Sequence, residues 1–168
     1  CNILEIRDLT KTYGSIRALH HFGITVKKGQ VYGILGPNGS GKTTTLSVIM
    51  GVIYPDSGEI TWFENKKPDW KRSVGTLIEV PNFYPYLTLN DNLKIVARIK
   101  EVPENDIERV LKVTRLAGRA DSSFATLSLG MKQRLAIAAV LLGDPEVMVL
   151  DEPTNGLDPY GMKAIREL

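Results

Sequence analysis

The chain is poor in several groups that would point to particular functions. It has one cysteine, Cys1, among 168 residues, which excludes an internal disulfide framework and fits a reducing compartment. Aromatic residues make up 7% and the net charge is only +2, so no broad electrostatic attraction to nucleic acid is expected. The basic cluster Lys66, Lys67, Lys71 and Arg72 is broken by Pro68 and Asp69 and reads as a solvated turn. The longest apolar run, Leu135 to Leu142, falls far short of the ~20 residues that span a bilayer. What is present is an ordinary globular composition, 43% apolar and 24% charged, and enough chain for one domain with a real core.

Periodicity changes along the chain. Leu4 and Ile6 alternate with Glu5 and Arg7, and Phe22, Ile24 and Val26 repeat the pattern, so two half-buried strands are expected, the second closed by the turn Lys27-Lys28-Gly29-Gln30. Val31 to Leu35 reads as a short apolar strand, and Lys42 to Met50 as a helix with Gly51 as its C-terminal cap. After the turn Asp56-Ser57-Gly58 come strands at Glu59 to Trp62 and Val74 to Ile78. From about Leu87 to Leu142 the signals are mostly helical. Thr88 caps a helix through Lys100, Pro103 and Glu104 open one through Leu116, and Ser128 caps a third ending near Gly143. A strand returns at Val147 to Leu150, and Asp158-Pro159 opens a helix still running at Leu168, which implies a C-terminally truncated chain. Strands flanking a helical insertion predict an α/β core with a small antiparallel element near the start.

Two motifs carry chemistry. Gly36-Pro37-Asn38-Gly39-Ser40-Gly41-Lys42-Thr43, followed by Thr44, fits the phosphate-loop pattern, with a strand expected before it and a helix after it. Its glycines let backbone N–H groups curl around an anion, the helix N-terminus adds positive potential, Lys42 supplies a cation and the Thr43 hydroxyl is a ligand for Mg²⁺. Val147 to Pro153 is an apolar strand ending in Asp151 and Glu152. Two acids there need a partner such as Mg²⁺ with a phosphorylated ligand: Asp151 to hold the metal and Glu152 to act as general base on an attacking water.

The stretch between these motifs narrows the class. LSLGMKQRLAIAAVLLGDP, residues 127 to 145, resembles the signature segment of ABC ATPases, and NGLDP, residues 155 to 159, resembles the loop that follows the acidic strand in that family. The resemblance implies an α/β P-loop NTPase core with a mainly parallel sheet, an N-terminal antiparallel β element and an inserted α-helical signature subdomain. The core would comprise about residues 1–80 and 144–168, and the helical subdomain about 81–143. It implies ATP and Mg²⁺ as cofactors, with Tyr13 stacking on adenine and residues Gly36 to Thr44 cradling the phosphates. Ser128 and Gly130 would meet the γ-phosphate held by a second subunit in a head-to-tail dimer, and Asp158 would couple the two sites. Partner permeases would be separate membrane chains, placing this one in the cytoplasm at the inner face of the plasma membrane. The rival reading is a soluble ABC ATPase acting on ribosomes or nucleic acid.

Three departures qualify the pattern. Glu79 stands where the family normally has a glutamine that reaches the metal and the nucleophilic water, so it is a candidate for both roles. Leu129 and Met131 replace a common glycine and glutamine. The family's switch histidine is expected beyond the residues present, because His20 and His21 come too early and read as strand-edge or surface groups; slow turnover or none is therefore expected of this length of chain. LIEVPNFYPYLT together with LSLGMKQR resembles the branch that exports bacitracin-like and lantibiotic-like antimicrobial peptides. Phe83, Tyr84 and Tyr86 would then either lie near a permease docking surface or pack the helical subdomain from inside.

Overall fold

The computed structural model describes residues 1–78 and 82–153. The chain divides into two compact units, Cys1–Lys71 and Arg72–Leu168. The strand beginning at Val74 packs within the second unit.

In the first unit, β1 (Asn2–Tyr13) and β2 (Ile16–Lys27) form an antiparallel hairpin whose two-residue turn uses Gly14 at φ 58. β3 (Ser57–Trp62) pairs antiparallel with the other edge of β1, giving the order β2-β1-β3. Leu4 and Ile6 of β1 are buried, as the alternation predicts, and Ile3 and Leu9, on the opposite parity, are buried as well. The ladder is interrupted between Ile6 and Leu9, where Asp8 takes a positive φ, and His21 across the hairpin does the same. Asp8 Oδ1 and His21 Nδ1 meet at this bulge. Helix α1 (Lys42–Ile49) ends on Met50 and Gly51 at φ 69, and Trp62 donates its indole N–H to Ile49 O at 3.2 Å. The basic cluster is dispersed: Lys66 pairs with Glu64, while Lys67 and Lys71 lie over the Phe63 and Trp70 rings.

Val31 to Leu35 forms no strand among the described residues, and Val31 and Leu35 are exposed. An apolar run takes up a strand only where a neighbouring edge supplies ladder partners, and none pairs with it here.

In the second unit, β4 (Val74–Leu77) and β5 (Val147–Leu150) pair in parallel, Leu77 opposite Leu150. Among the described residues, three α-helices lie between β4 and β5: α2 (Leu89–Lys100), α3 (Asp106–Val113) and α4 (Leu129–Leu141). Thr88 Oγ1 accepts from Asp91 N at 3.0 Å and donates to the Asp91 carboxylate, so the cap is reciprocal. The Thr88 hydroxyl, then Lys94, hold the Asp91 carboxyl below its ordinary range. α2 buries Leu89, Leu93 and Ala97 at fourfold spacing, whereas residues 135–140 of α4 are all buried. A helix apolar on every face belongs at the centre of its unit, and burying a side chain such as Leu135 contributes about 1.5–3 kcal/mol.

The C-terminal carbonyls of α4 are capped by cations. Lys100 Nζ donates to Ala139 O at 2.7 Å, Val140 O at 3.0 Å and Leu142 O at 3.3 Å, and Arg109 donates to Leu141 O at 2.9 Å. Asp106 accepts from Gly143 N at 2.8 Å and is ion-paired with Arg109, whose hydrogen bond is the main reason its carboxyl lies below the usual range. Burial pushes the Lys100 ammonium down to about 8, against the pull of Asp106.

Candidate functional site

The phosphate loop lies in the first unit. Gly39 has φ 81 and Gly41 φ 88, in the left-handed region that glycine adopts without strain. A Cβ on Gly41 would sit 2.3 Å from Ala18 O of β2, so the close approach of loop to strand also requires glycine. Ser40 N donates to Pro37 O at 3.1 Å, closing the turn over Asn38 and Gly39. Lys42 Nζ folds back to donate to Gly36 O at 2.7 Å and Pro37 O at 2.9 Å. Helix α1 starts at Gly41 with no side-chain cap and no acid in its first turn. First-turn amides with no side-chain cap, plus a lysine ammonium, make an electropositive hollow suited to phosphate. Thr43 and Thr44 are the second and third residues of α1.

Tyr13 stands at the turn end of β1, 45% exposed, opposite Ile16. Ala18, against which Gly41 packs, is two residues further along β2, roughly 7 Å at strand rise. Tyr13 and the phosphate loop therefore share one end of the hairpin. Lys11 Nζ lies 5.4 Å from the Tyr13 ring centroid. Asp56 holds this end in place, accepting from Lys11 Nζ at 3.0 Å and from Thr12 N at 2.7 Å. Those two bonds, Lys11 first, lower the Asp56 carboxyl below its ordinary value. The sequence marked Asp56 only as a turn residue, because its partners lie more than forty positions away.

The acidic strand and the signature helix lie in the second unit. Asp151 continues the parallel ladder, donating its N–H to Leu77 O at 2.7 Å. Glu152 is exposed and takes φ 43, a left-handed conformation uncommon for a residue with a side chain. In a parallel pair both strands finish at the same edge, so the chain leaves β4 beside Asp151. Glu79, Asn155 and Asp158 lie outside the described residues. Gln133 of α4, a residue the sequence reading passed over, donates from Nε2 to Pro153 O at 3.1 Å.

Ser128 caps α4, its Oγ accepting from Met131 N at 3.3 Å, and Gly130 is the second helical residue. Leu129 projects into solvent, whereas Met131 packs against the apolar core. Of the two signature departures, only Met131 packs against the core. The aromatic loop also divides. Phe83 is buried against Phe124 with ring centroids 5.2 Å apart, while Tyr84 and Tyr86 are exposed. His20 and His21 are exposed on β2. Among the described residues, no group of three or more His, Cys, Asp or Glu side chains is placed to hold a metal, and no helix is long and apolar enough to cross a membrane.

The model of the ABC transporter family matches residues 19–155. The chain is 47% identical over 172 residues to the bacitracin transport ATP-binding protein BcrA of Bacillus licheniformis, covering 99% of this chain and 56% of that protein. It is 39% identical over 170 residues to the lantibiotic transport ATP-binding protein SrtF of Streptococcus pyogenes, covering 99% of this chain and 73% of that one. It thus spans just over half the length of the bacitracin relative. Among solved structures, a dimeric bacterial ABC transporter cassette superposes with a TM-score of 0.84 at 28% identity, over 98% of this chain and 80% of that one.

Proposed function

The chain belongs to the ABC transporter family, and from that premise we propose that it is the ATP-binding and ATP-hydrolysing part of an exporter for antimicrobial peptides. The observation that carries the proposal is the phosphate loop: Gly41 packed on β2, Lys42 folded over the loop carbonyls, and α1 uncapped by any side chain at its N-terminus. Likeness to a bacitracin and a lantibiotic transport protein supports the class of cargo. Residues 36 to 44 bind the triphosphate, and Lys42 exchanges its two carbonyl acceptors for phosphate oxygens. Tyr13 stacks on the adenine. Ser128 and Gly130 present the start of α4 to the γ-phosphate held by a second copy. Glu152 accepts a proton from the attacking water, and Glu79 completes that site. Asp158 couples the two sites of the dimer.

Thr43, Asp151 and Glu79 offer only oxygen donors, which fits a hard divalent cation such as Mg²⁺; such an ion supplies charge neutralisation at the phosphates. In this reading residues 1–80 and 144–168 form the nucleotide-binding core and 81–143 the helical subdomain. The exposed Tyr84 and Tyr86 face separate permease subunits that hold the protein at the inner face of the plasma membrane. The test is Glu152→Gln in the full-length subunit. The variant is expected to bind ATP, lose steady-state hydrolysis and accumulate as an ATP-dependent dimer on gel filtration. A variant that hydrolyses ATP at the wild-type rate would remove Glu152 from its role.

A further inference from the structure

Gln133 lies five residues past the cap of α4 and is only 9% exposed. Its amide does not end on a neighbour within the helix but crosses twenty positions to donate to Pro153 O at 3.1 Å. Pro153 directly follows Glu152, whose φ of 43 places it in the left-handed region, a conformation that persists only where its surroundings hold it. Proline has no N–H to anchor the chain, so its carbonyl is the backbone handle on that side. On the other side, Asp151 N donates to Leu77 O at 2.7 Å. The Glu152 residue is therefore bracketed by two hydrogen bonds, one to β4 and one to the signature helix.

We propose that Gln133 is a positioning residue for Glu152, tying the acidic loop to the same helix whose first turn carries Ser128. The inference rests on the reading of Glu152 as the general base. A side-chain amide can hold a carbonyl only by donating, so an isosteric thioether loses the tie without changing volume, and a glutamate retains it only when protonated. Acting through orientation, the tie influences turnover more than nucleotide affinity.

The experiment uses the full-length subunit with Gln133→Met and Gln133→Glu. Two measurements are made: steady-state ATP hydrolysis, and hydrogen exchange at the Asp151 and Glu152 amides. Gln133→Met is expected to lower kcat about tenfold, the rate equivalent of one hydrogen bond. Its KM should stay within about twofold of wild type, and exchange should quicken at those two amides while the α4 amides remain protected. Gln133→Glu should match that loss at neutral pH and regain kcat relative to wild type as pH falls. Unchanged exchange at the two amides overturns the tie, and quickened exchange with wild-type kcat overturns its role in positioning. A wild-type subunit that does not hydrolyse ATP refutes the enzymatic reading, and with it the positioning role, while the exchange data still decide whether the tie exists.

Discussion

Asn92 offers a sharp test of what shapes the aromatic loop. It is 2% exposed, yet its side chain makes four hydrogen bonds to backbone. Nδ2 donates to Tyr84 O at 3.1 Å, Leu87 O at 3.4 Å and Thr88 O at 3.0 Å, and Oδ1 accepts from Tyr84 N at 2.8 Å. Two N–H donors and one acceptor are thereby spent on the segment that displays Tyr84 and Tyr86. At about 1 kcal/mol net for each group, Asn92→Ala is expected to destabilise the protein by about 3 kcal/mol. With a urea slope of ~1–3 kcal/mol per molar, the midpoint falls by on the order of 1–3 M.

Asn92→Asp separates hydrogen bonding from volume. It keeps the shape and the acceptor, but at neutral pH it turns lone pairs toward the carbonyls of Tyr84, Leu87 and Thr88. Burial and those carbonyls raise the pKa of the introduced carboxyl in the folded state. Between its unfolded and folded values the folded chain binds the extra proton, so stability falls as pH rises through that window. Urea midpoints of wild type and both variants, taken from pH 4 to pH 8, check this. The aspartate variant should be the weakest at pH 8 and recover part of the loss toward pH 4. A variant as stable as wild type at pH 8, or equally weakened at every pH, refutes the claim that Asn92 holds the loop by donating.

Three further outcomes follow from the geometry. Gly41→Ala should abolish measurable ATP binding by equilibrium dialysis, because the added Cβ meets Ala18 O at 2.3 Å in a residue with φ 88. Lys100 has its pKa lowered by burial to about 8 from its ordinary 10.5. Between those values the unfolded chain keeps a proton the folded chain has released, so stability should rise with pH across that window. The rise should be missing in Lys100→Met by urea denaturation. Leu135→Ala, at a fully buried position in α4, should cost about 2–5 kcal/mol in the same assay.

The features legible in the sequence are those whose partners lie close along the chain. Thr88 and Ser128 cap helices because each finds an N–H three residues on, and the phosphate loop is written in nine consecutive residues. The features that escaped are held by distant partners. Lys100 caps α4 from thirty-nine positions away, Lys11 meets Asp56 across forty-five, and Gln133 reaches Pro153 across twenty. Spacing within a motif carries no trace of such bonds, since a lysine on a strand or a lysine or glutamine on a helix at those positions reads as an ordinary surface residue. Val31 to Leu35 shows the converse: its composition favours a strand, but strand formation depends on an edge that composition does not supply.

The aromatic loop makes the same point on a smaller scale. Phe83 and Tyr84 are adjacent, yet one is buried against Phe124 and the other is half exposed, because Asn92 fixes the Tyr84 peptide by both its N–H and its carbonyl. Pro85 O then accepts from Ala125 N at 2.9 Å and Ser123 Oγ at 2.6 Å, so the loop is fastened from α2 on one side and from the segment before α4 on the other. A loop tied at both ends loses little conformational entropy when a partner binds its exposed tyrosines. The same ties join the Tyr84 peptide to α2 and the Pro85 carbonyl to the segment leading to Ser128. Under the proposed docking of Tyr84 and Tyr86 on a permease, Asn92→Ala in the full-length subunit should weaken permease binding, read by co-purification, together with the stability of the loop.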